Sequence, residues 1–183
     1  MKIRQSEADA RFASAAYAEQ LFLPEPPLDM IITNFYCFKS FISSETVIKH
    51  LSPNLEMMLV FSFGTPVRFS FGNETFTDNI IDKSTVIGPL KKMLNYEISS
   101  GADVIVVNFR LNGFHRLFNL AISELSGQAV NDPDTLIGKK IFSKLWDLLL
   151  ALKDSQQRIN EMILQAIPFI KPNSDQIESF LKG

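Results

Sequence analysis

Between Leu28 and Leu111 the chain is a series of short apolar segments separated by turn residues, and this pattern constrains its fold most strongly. The segments lie at 34–42, 55–63, 66–77, 84–90, 92–98 and 103–111. Short runs rich in β-branched and aromatic residues at such spacing are typical of strands in an antiparallel barrel or jelly roll. We therefore predict a β-barrel over residues 23–112, in which 66–77 forms a hairpin around Gly72-Asn73.

The period changes to helical after Gly113. A short helix is predicted over 113–125. Asp132-Pro133 has the composition of an N-cap followed by proline at the first helical position, and predicts a helix that continues to about Leu152. A second amphipathic helix is predicted from Asp154-Ser155 onward, and the short linker favours an antiparallel helix pair. The fold class expected is α+β: the barrel or jelly roll followed by this pair.

Four regions follow from these patterns. Residues 1–22 are expected to be an N-terminal arm or short helix, 23–112 the barrel, 113–171 a helical dimerisation and signalling part, and 172–183 a linker with the start of a further helix. A new helical pattern at the last residues suggests a chain cut at a domain boundary.

Composition excludes several classes of function. The formal net charge is −2, and the sequence shows no basic stripe. A stand-alone nucleic-acid-binding domain usually needs such a stripe to bind phosphate groups. A single cysteine, Cys37, fits a reducing compartment. No secretory signal pattern and no run near 20 apolar residues is present, so we expect a cytoplasmic protein that does not contact a membrane.

The residues that could carry chemistry are dispersed. His50, His115 and Cys37 are far apart in sequence, which argues against a metal site. No nucleophile elbow, phosphate-binding loop or pair of carboxylates is recognisable. The sequence therefore predicts no catalytic residue, no metal and no cofactor, and the chain is expected not to be an enzyme.

A binding role is the alternative to chemistry, because the β segments carry more apolar side chains than one covered face requires. Apolar barrel-lining residues and two arginines that could hold a polar group are the candidates for ligand binding: Met57, Leu59, Phe61, Phe63, Arg68, Phe69 and Arg110. A barrel packed solid by the same side chains remains open at this point.

Two further sets of residues are assigned structural roles. The stretch VVNFRLNGFHRLFN (106–119) is predicted to be the joint between barrel and helices, through Gly113, Phe114, Leu117 and Phe118. The predicted dimer surface is the apolar stripe of the first long helix: Ile141, Leu145, Leu148 and Leu152.

The order of these motifs resembles a known family. It comprises Pro26-Pro-Leu28, Leu51-Ser-Pro53, Phe61-Ser-Phe-Gly64, Gly88-Pro89, the block Gly113-Phe-His-Arg-Leu-Phe118, Ser123-Glu-Leu125 and Arg158-Ile159. This order is similar to the N-terminal sensor domain of AraC/XylS-type transcription regulators, of the type common in Bacteroidetes. The chain departs from it at Leu111-Asn112, where many relatives have proline.

The resemblance implies a cupin-like barrel that binds an unidentified small-molecule effector. It also implies homodimerisation through the helices, and contact with DNA only through a C-terminal helix-turn-helix domain that this chain lacks. Two alternatives are a small cupin-like enzyme, either an isomerase or a metal-dependent oxygenase, and a solid-core scaffold for protein interactions.

Overall fold

The structure is a computed structural model, and it describes residues 4–5, 17–41, 46–76, 79–120 and 130–166. Its strands are β1 Arg4–Gln5, β2 Tyr17–Leu23, β3 Ile32–Ser40, β4 Val47–Leu51, β5 Met58–Ser62, β6 Val67–Phe71, β7 Ile80–Ile81, β8 Ser84–Ile87, β9 Leu94–Ile98, β10 Asp103–Phe109 and β11 Val130–Asn131. Its helices are α1 Gly113–Phe118, α2 Pro133–Ile137, α3 Ile141–Leu150 and α4 Ser155–Ala166. None of the helices in these ranges is long and apolar enough to cross a membrane.

The strands form two antiparallel sheets. The larger has the order β1-β2-β3-β10-β5-β8-β11, and the smaller has the order β4-β9-β6-β7. At the centre of the larger sheet, Val106 of β10 is the register partner of Tyr36 in β3 and of Val60 in β5. Because side chains alternate across a strand, this register sets which residues share each face. The expected α+β fold class, with antiparallel sheets followed by helices, is confirmed.

The larger sheet is buried on both faces. Phe35, Phe61 and Val107 belong to a core cluster on the side of the helices. Their strand neighbours Val60 and Val104 belong to a second cluster between the two sheets. Burying a large apolar side chain contributes roughly 1.5–3 kcal/mol, so both faces stabilise the sheet. For this reason the middle strands β3, β5 and β10 carry apolar residues on both of their faces.

The chain leaves β10 and enters α1 through a close backbone contact. A Cβ atom added at Gly113 would lie 1.9 Å from the carbonyl oxygen of Ile31, so only glycine fits there. The Phe109 and Phe114 rings then meet edge to face at 5.3 Å between centroids, and the Phe118 ring meets Phe142 of α3 at 5.3 Å. These rings fasten α1 and α3 to the sheet.

The helix predicted from 132 to 152 is divided in two. Asp132 caps α2 by accepting a hydrogen bond from the Thr135 backbone N–H at 2.9 Å, and Pro133 is its first residue, as predicted. Gly138 then ends α2 with φ of +68°, a left-handed conformation that favours glycine. The continuous stripe of apolar residues hid this break from the sequence analysis.

The carboxylate of Asp134 caps the next helix. It accepts hydrogen bonds from the backbone N–H groups of Phe142 and Ser143, at 2.7 and 3.0 Å. Burial favours the neutral acid, but hydrogen bonds from the Ser143 side chain and these N–H groups outweigh it and lower the pKa of Asp134. The beginning of α4 lies where predicted, since Asp154 accepts from the Gln157 N–H at 3.0 Å.

A buried arginine ties the helix pair to the sheet. Arg158 of α4 is 3% exposed and donates to the carboxylate of Asp103 at 3.0 Å. Its Nε donates to the carbonyl oxygens of Leu149 and Leu152, at 3.1 and 2.6 Å. Its guanidinium carbon also lies 3.9 Å from the centroid of the Phe63 ring. One side chain thus joins α3, α4, β10 and the end of β5.

Three local expectations need correction. Residues 17–23, whose greater part was assigned to an N-terminal arm or short helix, form strand β2 beside β3. The sheet does not end at residue 112, because Val130–Asn131 returns to pair with β8. The return strand of the hairpin is Ile80–Ile81 rather than residues before 77, because Phe71 is followed by a turn and a longer connection. Residues 121–125 and 167–183 lie outside the described residues.

Candidate ligand-binding site

A cavity of about 300 Å³ lies between the two sheets, inside the barrel. Strands of both sheets supply its walls, because their inward-facing side chains leave this space incompletely filled. Its lining residues are Leu21, Asn34, Tyr36, Phe38, Leu51, Met58, Val60, Val67, Phe69, Ile81, Ile87, Leu94, Tyr96, Val104, Val106 and Asn108. The walls are apolar except for two amides and two tyrosines, the composition typical of small-molecule sites.

The two amides face each other across β3 and β10. Asn108 and Asn34 are register partners, and the Asn108 Nδ2 donates to the Asn34 Oδ1 at 2.7 Å. Two asparagine side chains joined by one hydrogen bond retain an amide oxygen and further N–H groups for other partners. Both residues are half-buried and line the cavity, so these groups are the polar contacts a ligand would meet.

The two tyrosines lie on different sheets. Tyr36 of β3 is next to β2, and Tyr96 of β9 is next to β4. The Tyr36 hydroxyl donates to the carboxylate of Glu19, which also pairs with Lys49 of the smaller sheet. Burial and the hydrogen bond to Glu19 raise the pKa of Tyr36, and burial raises the pKa of Tyr96. Both rings therefore present neutral hydroxyls, and the described lining of the cavity carries no formal charge.

The ion pair beside the cavity joins strands of different sheets. Burial alone would raise the pKa of Glu19, but hydrogen bonds from Lys49 and Tyr36 lower it overall. Burial would likewise lower the pKa of Lys49, and its hydrogen bond to Glu19 raises it instead. The Lys49 ammonium also lies 4.6 Å from the centroid of the Tyr17 ring. Glu19 and Lys49 therefore both stay ionised beside the cavity, where their charges offset each other.

The predicted ligand residues divide between two faces. Phe69 lines the barrel cavity. Leu59 and Phe61 face the helices and line a second cavity, of about 500 Å³, on the other side of the sheet. Met57 is buried in the cluster on that side, and Phe63 stacks between Phe61 and Trp146. Most of the apolar residues expected inside the barrel therefore lie on the side of the larger sheet that faces the helices. Leu59, for example, lies in sequence between Met58 and Val60, which do line the barrel cavity.

The predicted arginines do not reach the barrel cavity. Arg68 is exposed and pairs with Glu97 at 3.4 Å. Arg110 is exposed and donates to the backbone oxygen of Asp29. Side chains alternate along β6, so Arg68 points outward while Val67 and Phe69 line the cavity. Arg110 lies beyond the last residue of β10.

The predicted dimer stripe is largely occupied within the chain. Ile141, Leu145 and Leu152 pack against the core cluster beneath the helices. Ile141, Leu145 and Leu148 also line the second cavity. Leu148 is 44% exposed, so a part of the stripe remains on the surface. Dimerisation through it stays a prediction.

The donor set of the cavity does not suit a metal. Its described lining includes no His, Cys, Asp or Glu. Across the described ranges, no three such side chains are grouped as metal ligands. Cys37 is buried on the opposite face, where burial raises the pKa of its thiol to about 12.

The sequence analysis missed the polar lining residues Asn34, Tyr36, Tyr96 and Asn108. A signal was present, since Asn34 and Asn108 are polar positions within otherwise apolar strands. Their pairing was not readable, because 74 positions separate them along the chain.

Residues 20–131 match the family described as Domain of unknown function (DUF6597). No curated protein gives a significant match to the chain. Among solved structures, the chain is similar to FeII HppE, at 11% identity and a TM-score of 0.38, with 59% of this chain and 56% of that chain covered. It is also similar to PhpD with cadmium atoms, at 10% identity and a TM-score of 0.36, covering 70% and 38%. The third similar structure is PhpD with cadmium and hydroethylphosphonate, at 10% identity and a TM-score of 0.37, with 98% of this chain and 55% of that chain covered.

The chain thus spans between 38% and 56% of these solved chains. The expectation that this chain is not an enzyme is contradicted by these neighbours, which are metal-dependent enzymes, and is withdrawn. At TM-scores below 0.5 they assign no reaction to it.

Proposed function

The chain belongs to the DUF6597 family, and we propose that this member is the ligand-sensing domain of an AraC-type transcription regulator. The barrel cavity is the sensing site, and its ligand is a small, uncharged molecule with an apolar body and a hydrogen-bonding group. The effector-sensing part of the proposal is carried by one observation: a cavity with apolar walls, an amide pair and no formal charge in its described lining.

The cavity volume limits the size of the ligand. About 300 Å³ lies at the lower end of the roughly 300–1,000 Å³ typical of small-molecule sites. Apolar side chains such as Val60, Val106 and Phe69 would bury the body of the ligand. This burial favours a compact apolar or aromatic molecule.

The charge of the ligand is limited by desolvation. A charged group moved into an apolar site needs a counter-charge and hydrogen bonds to offset its lost hydration. The ion pair that contacts Tyr36 of the lining, Glu19 with Lys49, has its two charges paired with each other. The amides of Asn34 and Asn108 instead suit a ligand that both donates and accepts, such as a carboxamide.

The regulatory part of the proposal is supported by the path from the cavity to the helices. Val106 and Asn108 line the cavity, while Val107 and Phe109 on the same strand face the helices. Gly113 then leads directly into α1. A ligand that favours one position of β10 would shift the equilibrium between arrangements of barrel and helices. In the proposed regulator this shift reaches a DNA-binding domain through the helical part and a homodimer.

A matched series of three ligands tests the sensing site. Phenylacetamide, phenylacetate and 2-phenylethylammonium share an aromatic body and differ in charge. Isothermal titration calorimetry should give the tightest binding for the amide, and binding at least about tenfold weaker for each ion. Equal binding of the amide and an ion would contradict the proposed selectivity, and no binding of any of the three would remove support for the site.

Two variants locate that binding in the barrel. Val106→Phe should fill the cavity and abolish binding of phenylacetamide. Asn108→Leu should remove the preference for the amide. The control is Arg68→Gln on the outer face of the smaller sheet, which should bind as the unaltered protein does. Stoichiometric iron, zinc or manganese in the purified protein would favour an enzyme over the sensor.

The reading frame of the gene tests the regulatory part separately. A basic segment with two helix-turn-helix patterns beyond residue 183 would support it. A continuation that encodes no such segment would refute the AraC-type assignment while leaving the binding site intact.

A further inference from the structure

The second cavity, which lies outside the barrel, has the features of an independent binding site. It occupies about 500 Å³ between the larger sheet and the helices, and its walls are mainly apolar. The sheet contributes Phe35, Phe61 and Phe109 to its floor, while α3 and α4 contribute Leu145 and Met162 to its sides. It shares no described lining residue with the barrel cavity.

The charge at the rim of this cavity is of one sign. Lys139, Lys140 and Lys144 line it, and all three are exposed. No Asp or Glu is among its described lining residues, and no described carboxylate pairs with these lysines. The nearby Asp134 is engaged by the backbone of α3. Three positive charges beside an apolar space therefore lack a partner within the described residues.

The shape of the space favours a chain-like molecule over a peptide helix. Phe35, Phe61 and Phe109, on the sheet side of the space, are each 1% exposed or less, whereas Leu148 of α3 is 44% exposed. A helix has a diameter of about 10–12 Å with its side chains and would not reach this floor. An extended hydrocarbon chain is much thinner than a helix and is therefore better suited to contact these buried rings.

We propose that this cavity binds an amphipathic carboxylate, with its hydrocarbon chain against the phenylalanine floor and its carboxylate among Lys139, Lys140 and Lys144. Apolar burial supplies most of the affinity, and charge-assisted hydrogen bonds to the ammonium groups select the anion. Such a ligand touches the sheet, α3 and α4 together, so it stabilises one position of the helix pair. The chain would then hold two sites, one for a neutral and one for an anionic molecule.

Decanoate and 1-decanol test this site, because they share a chain length and differ in charge. Calorimetry should show one decanoate bound per chain, with affinity that falls as salt is added, and weaker binding of decanol. The combined variant Lys139→Ala, Lys140→Ala, Lys144→Ala should weaken decanoate binding about tenfold or more and leave decanol binding unchanged. The matched control is Lys153→Ala, an exposed lysine outside the cavity.

Two further variants separate this site from the barrel. Leu145→Trp should fill the cavity and weaken both molecules, whereas Val106→Phe should affect neither. The proposal is overturned if decanoate does not bind, if the triple lysine variant binds it as tightly as the unaltered protein, or if Val106→Phe abolishes its binding. Because the lysines are exposed, their replacement leaves the core intact, and the test does not depend on a core variant folding.

Discussion

Replacing the buried Arg158 with alanine should substantially destabilise the protein. The arginine is 3% exposed and makes hydrogen bonds to Asp103 and to the carbonyl oxygens of Leu149 and Leu152. Removing one partner of a buried ion pair costs about 3–5 kcal/mol, because the other charge and the carbonyl groups lose their donor. Asp103 would keep its ion pair with Lys39, at 3.5 Å. We therefore expect the free energy of unfolding to fall by about 3 kcal/mol, near the lower end of that range.

Urea denaturation followed by circular dichroism gives the free energy of unfolding, with unchanged slope as the check for two-state behaviour. Arg158→Lys keeps the charge but cannot make the same set of contacts, and should cost less than Arg158→Ala. A double-mutant cycle with Asp103→Asn should give a coupling of roughly 0.5–3 kcal/mol. A loss below about 1 kcal/mol for Arg158→Ala would refute the reasoning, since surface substitutions reach about half of that.

Three further predictions rest on single residues. Gly113→Ala should lower the free energy of unfolding by about 3 kcal/mol or more, because its Cβ would overlap the Ile31 carbonyl oxygen; Gly138→Ala, which meets open space, should cost only about 1–2 kcal/mol from its left-handed φ. Iodoacetamide at pH 8 should modify Cys37 far more slowly in folded than in urea-unfolded protein, since burial raises its pKa to about 12; equal rates by mass spectrometry would contradict its burial. Burial alone would raise the pKa of Asp134, but hydrogen bonds from the first turn of α3 lower it overall. The ionised carboxylate therefore stabilises the folded protein at pH values above the pKa of Asp134 in the unfolded chain. This stabilisation is lost as the pH falls through its pKa in the folded protein. Unfolding measured between about pH 5 and 2 should therefore depend less on pH in Asp134→Asn, and identical profiles would show that the cap contributes nothing.

Local signals in the sequence were sufficient for most of the elements and their order, but not for β2, β11 or the division between α2 and α3. The Asp132-Pro133 cap, the start of α4 at Asp154-Ser155 and the change of period at Gly113 each depend on neighbouring residues. Such signals act over a few positions, so they can be recognised without knowing the fold. The α+β class and the helix pair followed from them.

Which face of a strand lines the barrel was decided only by the tertiary structure. From Met57 to Phe63 nearly every side chain is apolar, because the larger sheet is covered by the smaller sheet on one face and by helices on the other. A strand buried on both faces has no alternation to indicate its orientation. The sequence analysis therefore placed Leu59 and Phe61 in the barrel, whereas Met58 and Val60 line it.

Antiparallel strands followed by amphipathic helices could be predicted from the amino-acid sequence alone, because the patterns that indicate them are local. Only the tertiary structure brought Asn34 to Asn108, and Asp103 to Arg158, across 74 and 55 positions. Polar contacts between distant strands and helices depend on sheet register and helix placement, which no short stretch of sequence specifies. The residues that distinguish the two cavities, a neutral amide pair in one and three lysines at the rim of the other, were for this reason visible only in the folded chain.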